Sequence, residues 1–133
     1  MGIWKFGNFE ANVDFFDADF LDTLEEAKKE MNFQNSRVPK VGKNGDIIRA
    51  RCNVVFRFFD TLFGEGTSEL MFEGRNSLEL CIRAMHSLSE FESLQGERFE
   101  RDYSKYQVQS HGNRQQRRAY EKGSKKNYPR KQG

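Results

Sequence analysis

Apolar and polar residues alternate along residues 9–15: Phe9, Ala11, Val13 and Phe15 are separated by Glu10, Asn12 and Asp14. A period of two is that of a strand with one face buried. Gly7-Asn8, between Phe6 and Phe9, suits a tight two-residue turn, so residues 3–6 are the expected partner strand of a hairpin. A two-stranded hairpin is marginal by itself, and its apolar face needs helices to lie on. From Asp17 the period lengthens. Phe20, Leu24, Ala27 and Met31 keep helical spacing, Leu21 widens the stripe, and Glu25, Glu26, Lys28, Lys29 and Glu30 cover the other side. Asp17 is a good N-cap, with Asp19 and Asp22 placed to favour the positive end of the helix dipole. The stripe fades after Met31, Pro39 closes any helix by then, and residues 32–45 read as a loop.

A second helix is expected over 46–63, apolar around much of its circumference: Ile47, Ile48, Cys52, Val54, Val55, Phe56, Phe58, Phe59, Leu62 and Phe63. A helix of that kind is central to its domain or lies in an interface. Gly64 suits the left-handed residue that often follows a helix. Thr67 is then expected to cap a short helical turn over 68–72, closed by Gly74. Asn76 is expected to cap a last helix carrying Leu78, Cys81, Ile82, Met85, Leu88 and Phe91 or Leu94 on one face. Gly96 either stops that helix or lets the charged stretch 97–105 extend it. The fold class is therefore mainly α: a compact domain of about four helices over residues 1–104, with a small N-terminal β-hairpin.

Charge changes the picture after that point. Residues 105–133 hold nine Lys/Arg against one acid, Glu121, a net of +8, whereas the rest holds thirteen against nineteen, a net of −6. A basic segment so poor in apolar residues cannot offset its chain entropy by burial, and a disordered tail is expected over 105–133. Arg114, Arg117, Arg118, Lys122, Lys125 and Lys126 are its candidate contacts to an anionic partner. Tyr103, Tyr106, Tyr120 and Tyr128 are placed among them to stack on bases. A solvated end that keeps the protein soluble explains the same composition equally well.

No other constellation carries chemistry of its own. Asp17, Asp19 and Asp22 are oxygen donors, but capping accounts for them and no EF-hand spacing follows. The run 63–67, Phe-Gly-Glu-Gly-Thr, lacks the lysine and the strand-to-helix setting of a phosphate loop. His86 and His111 have no metal-ligand or nucleophile partner at a useful spacing. Cys52 and Cys81 sit in helical apolar patterns, as small buried hydrophobes do. Neither a catalytic site nor a cofactor or metal is expected. No stretch is apolar for the length of a membrane span, and no secretory signal opens the chain. A soluble, cytoplasmic, non-enzymatic protein is the expectation.

Three segments resemble the tail assembly chaperones of long-tailed bacteriophages and prophages. They are residues 46–88 (DIIRARCNVVFRFFDTLFGEGTSELMFEGRNSLELCIRAMHSL), the amino-terminal KFGNFEANVDFFDADFLDTLEEA, and NRQQRR followed by lysines near the end. The resemblance implies a protein that binds the tape-measure protein, helps tail-tube subunits polymerise around it in the host cytoplasm, and is absent from the mature virion. A Phe-rich second helix suits this, because surplus apolar surface can receive an amphipathic helix. Phe56, Phe59, Phe63, Met71, Phe72 and Met85 are the candidate lining of such a groove, each of them also explicable as ordinary core. Homo-oligomer formation is left open. The alternative is a small nucleic-acid-binding or regulatory protein acting through the basic arm with weak, non-specific affinity. The acidic balance of residues 1–104 counts against it.

Overall fold

The structure, a computed structural model, describes the backbone of residues 2–111 and the side chains of residues 2–104. It is mainly helical, with a two-stranded antiparallel hairpin first. The order is β1 (Gly2–Phe6), β2 (Phe9–Val13), α1 (Ala18–Asn35), α2 (Asn44–Phe63), α3 (Thr67–Phe72) and α4 (Leu78–His111). The chain divides into two compact units, Met1–Gly96 and Glu97–Gly133. In the second, within its described part, the rings of Phe99 and Tyr103 pack 4.9 Å apart.

The hairpin forms as its alternation requires. Phe6 faces Phe9 across the Gly7-Asn8 turn, and Gly2 faces Val13. Gly7 alone of the two turn residues has a positive φ, 62°, and it also comes so close to α3 that a Cβ there would collide with the Met71 carbonyl oxygen. The turn is tied down at that point: Asn8 N donates to Leu70 O at 3.1 Å, and Asn8 Nδ2 to Glu73 Oε2. Phe15, expected to continue the strand, lies beyond it, buried in the core.

α1 starts where its cap residue places it, with the Asp17 carboxylate accepting from Phe20 N at 2.9 Å. It runs on to Asn35, further than its apolar stripe. Gln34 donates to Glu30 one turn earlier at 2.9 Å, and half-buried Met31 and Gln34 hold the last turn. α2 starts before Asp46, at Asn44, where an Asp46–Arg49 ion pair of 2.7 Å spans the first turn. Residues 32–35 and 44–45, expected as loop, are therefore helix.

Three further ends differ from expectation. Gly64 has φ 114° and ψ 159°, a glycine conformation but not the left-handed helical one. Thr67 lies inside α3 instead of capping it. Its hydroxyl donates back to Gly64 O at 2.7 Å, while the Asp60 carboxylate of α2 accepts from Ser68 N at 2.8 Å and from Ser68 Oγ at 3.0 Å. Ser77, not Asn76, caps α4, its hydroxyl accepting from Leu80 N at 3.3 Å. α4 passes Gly96 and reaches His111, so the backbone of residues 105–111 is helical. The remainder of the expected tail lies outside the described residues.

The core is aromatic. Trp4 of β1 stacks on Phe59 and on Phe63 of α2, both with ring centroids 5.8 Å away, and its indole N–H donates to Ser87 Oγ of α4 at 3.0 Å. Phe58, Phe59, Phe72, Val13, Cys52 and Cys81 are the largest side chains closed off from solvent. Hairpin and helices thus share one apolar centre, which is what a two-stranded sheet needs to persist.

Candidate functional site

The six apolar candidates fall into two groups. Phe59, Met71 and Phe72 are core residues, 0%, 3% and 1% exposed. Phe56, Phe63 and Met85 are half-buried and packed against that core. Phe56 meets Phe72 at 4.9 Å, and Phe63 meets Phe9 at 5.1 Å and Phe20 at 6.2 Å, so aromatic neighbours already occupy much of their surface. The six do not form an open groove. The α2 pattern is apolar all round because the helix is covered from several sides, by α1, by the hairpin and by α3.

Other apolar side chains are exposed, among them Ile3, Phe33, Val41, Leu70, Ile82 and Leu94, and one of them, Ile82, is flanked on its helix by apolar neighbours. Leu78, Ile82 and Met85 follow one another at i, i+4 and i+7 along α4; Ile82 is 58% exposed and the outer two are half-buried. That spacing puts all three on one side of the helix. Of the stripe expected from periodicity, Cys81 and Leu88 are buried and Leu78 and Met85 half-buried, but Ile82 is exposed, and Ala84, not expected there, faces inward. A pattern with apolar residues at both 81 and 82 does not say which of the two faces inward.

Several polar candidates acquire definite roles. The Gly64–Thr67 turn offers no anion site, because the Asp60 carboxylate occupies the free N–H end of α3 where a phosphate would have to sit. Asp17 is engaged as the α1 cap. His86 is on the surface, and no group of three His, Cys, Asp or Glu able to hold a metal ion occurs among the described residues. No helix among them is long and apolar enough to cross a membrane. Arg114, Arg117, Arg118, Lys122, Lys125 and Lys126 lie outside the described residues.

Cys52 and Cys81 meet in the core, both 0% exposed. Burial, and then the hydrogen bond and charge of the Cys52 sulfur, push the Cys81 thiol up from 9.0 to about 12. Since the thiolate is the reactive form, Cys81 is inert in the folded state, and Cys52 is closed off from reagents by burial. Iodoacetamide at pH 8 is expected to alkylate the native protein at least about a thousandfold more slowly than the denatured chain, through opening of the core. Comparable rates would place a thiol at the surface.

A second surface feature is basic. Between Arg37 and Arg57 the chain carries six Lys/Arg, namely Arg37, Lys40, Lys43, Arg49, Arg51 and Arg57, against the single acid Asp46, and all six are exposed. This run was visible in the sequence but hidden by averaging over an acidic domain. At its centre, Asn35, Val38, Pro39, Lys40, Ile47 and Arg51 line a shallow depression of about 400 Å³ between the end of α1 and the start of α2. The nearby Phe33 ring is covered by the Arg37 guanidinium, 5.4 Å from its centroid.

No curated protein and no solved structure matches the chain. The model of one family covers residues 7–121, from the hairpin turn through all four helices and beyond. The chain therefore belongs to that family, a family of unknown function (DUF6673).

Proposed function

We propose that this protein is a non-enzymatic assembly chaperone of a long-tailed phage, which holds helical segments of the tape-measure protein and assists tail-tube assembly in the host cytoplasm, without remaining in the virion. The resemblance of residues 46–88 and of the amino-terminal segment supports the reading. The observation that carries it is the α4 stripe: Ile82, 58% exposed, stands between half-buried Leu78 and Met85. Anchors at i, i+4 and i+7 are the spacing by which one amphipathic helix packs along another. Met85 adds a side chain that adapts to different partners. Phe56 and Phe63 are secondary candidates at the edge of the core. Phe59, Met71 and Phe72 serve the binding surface only by holding the helices in place.

The test is copurification with a helical fragment of a tape-measure protein encoded beside this gene. Ile82→Asp is expected to weaken capture at least about tenfold, because the carboxylate loses its water against the partner, with helicity and melting temperature unchanged. If Ile82→Asp captures normally while alanines at Arg114, Arg117, Arg118, Lys122, Lys125 and Lys126 abolish capture, the basic arm holds the partner. If no tape-measure fragment is held by the unaltered chain, the chaperone reading fails.

A further inference from the structure

The basic depression is matched by a feature on the same helix. Its floor is apolar, Val38, Pro39 and Ile47, and its rim carries Lys40 and Arg51. Among the described residues the ion pairs are Asp46–Arg49 and Glu79–Arg83, which leaves both rim charges unpaired. The complementary occupant is an apolar side chain bordered by carboxylates. Leu21 of α1 is such a group: it is 40% exposed, with Asp17 and Glu25 one turn to either side and Asp22 adjacent, all exposed.

Leu21, Lys28 and Asn35 are spaced by sevens, so they share one face of α1. Asn35 lines the depression. Knob and socket therefore lie on one helix face, separated by about 21 Å at 1.5 Å per residue. A helix so marked is complementary to an antiparallel copy of itself. We infer that this chain pairs with a second copy, Leu21 of each α1 seated in the Asn35–Arg51 depression of the other, about a two-fold axis passing near Lys28.

The register is consistent along its length. With Leu21 opposite Asn35 of the partner subunit, the two copies of Lys28 meet at the axis. Glu25 of each copy then lies within a turn of the opposing Lys28 and offsets their repulsion. The contact is isologous, so each favourable charge pair occurs twice. It is also small and polar outside the two sockets, which sets a dissociation constant on the order of 10–100 μM and a strong dependence on salt. The pairing is independent of the chaperone reading and needs no partner protein to test.

Sedimentation of the full chain at up to several hundred micromolar is the experiment, in about 50 mM and about 500 mM salt. A dimer is expected at low salt, at least about tenfold weaker at high salt. Lys40→Glu with Arg51→Glu is expected to weaken it at least about tenfold, and so is Asp22→Lys with Glu25→Lys. All four changes together with Lys28→Glu in one chain restore pairing to within a few-fold of the unaltered protein, because the charges, those of the Glu25–Lys28 pairs included, are then exchanged and not lost. Circular dichroism checks that each variant is folded. A monomer at low salt, a dimer indifferent to either reversal, a five-fold variant no better than its parents, or species larger than a dimer would each overturn the inference.

Discussion

Phe59→Ala is expected to destabilise the protein by about 3–5 kcal/mol, a large share of the about 5–15 kcal/mol by which a domain of ordinary stability is folded. The ring is 0% exposed and sits where three elements meet. It stacks on Trp4 of the hairpin at 5.8 Å, meets Phe58 edge-on at 5.1 Å, and reaches Phe72 of α3 at 6.1 Å. Truncation leaves a cavity that three aromatic neighbours, each held by other contacts, cannot collapse to fill. Urea denaturation followed by circular dichroism measures the loss, and Trp4 fluorescence reports the same site directly. A cost below about 1 kcal/mol would mean that Phe59 faces a space already open to a partner. The α4 stripe would then have to yield its place to α2.

That contrast shows what was legible in the sequence. The hairpin was, because Phe9, Ala11 and Val13 alternate with polar residues and Gly7-Asn8 marks the turn. So was the start of α1, because Asp17 caps locally, and so was the end of α2 at Phe63, where glycine follows. What escaped depends on contacts distant in sequence. Asp60 caps α3 from eight residues away, and nothing in the local pattern distinguishes it from a solvated acid on α2. The end at Asn35 was missed because half-buried Gln34 carries α1 beyond its apolar stripe, and the start at Asn44 because the added turn is made of exposed residues that no apolar stripe marks. Among the apolar candidates the sequence indicates a surplus, but which members face inward depends on where the hairpin docks. Docking buries Phe59 and Phe72, two of the six groove candidates, and leaves Ile82, expected in the buried stripe of α4, outside.

Gln95→Ala is expected to cost about 2–6 kcal/mol, as two buried backbone groups lose their partners at about 1–3 kcal/mol each. Gln95 is 4% exposed on α4. Its Oε1 accepts from Phe15 N at 2.7 Å, and its Nε2 donates to Val13 O at 2.8 Å. One amide thus satisfies the chain where β2 ends and turns towards α1, a point at which the strand can no longer supply the bonds itself. Gln95→Glu separates this role from packing. At neutral pH the carboxylate still accepts from Phe15 N, but it has no proton for Val13 O and faces that carbonyl with like charge. Its folded pKa is therefore raised above the ordinary glutamate value of about 4.3. A raised pKa makes stability greatest below the unfolded value and lowers it as pH climbs through the folded one. Relative to the unaltered protein, the Glu variant should gain stability on acidification to about pH 4 and lose it towards pH 7, where Ala and Glu variants are both weak. Hydrogen exchange at the Phe15 amide should accelerate in the Ala variant and stay slow in the acidified Glu variant. A Glu variant whose deficit does not change with pH would show that the site tolerates the side chain by volume alone. The two bonds would then contribute little to holding the hairpin on α4.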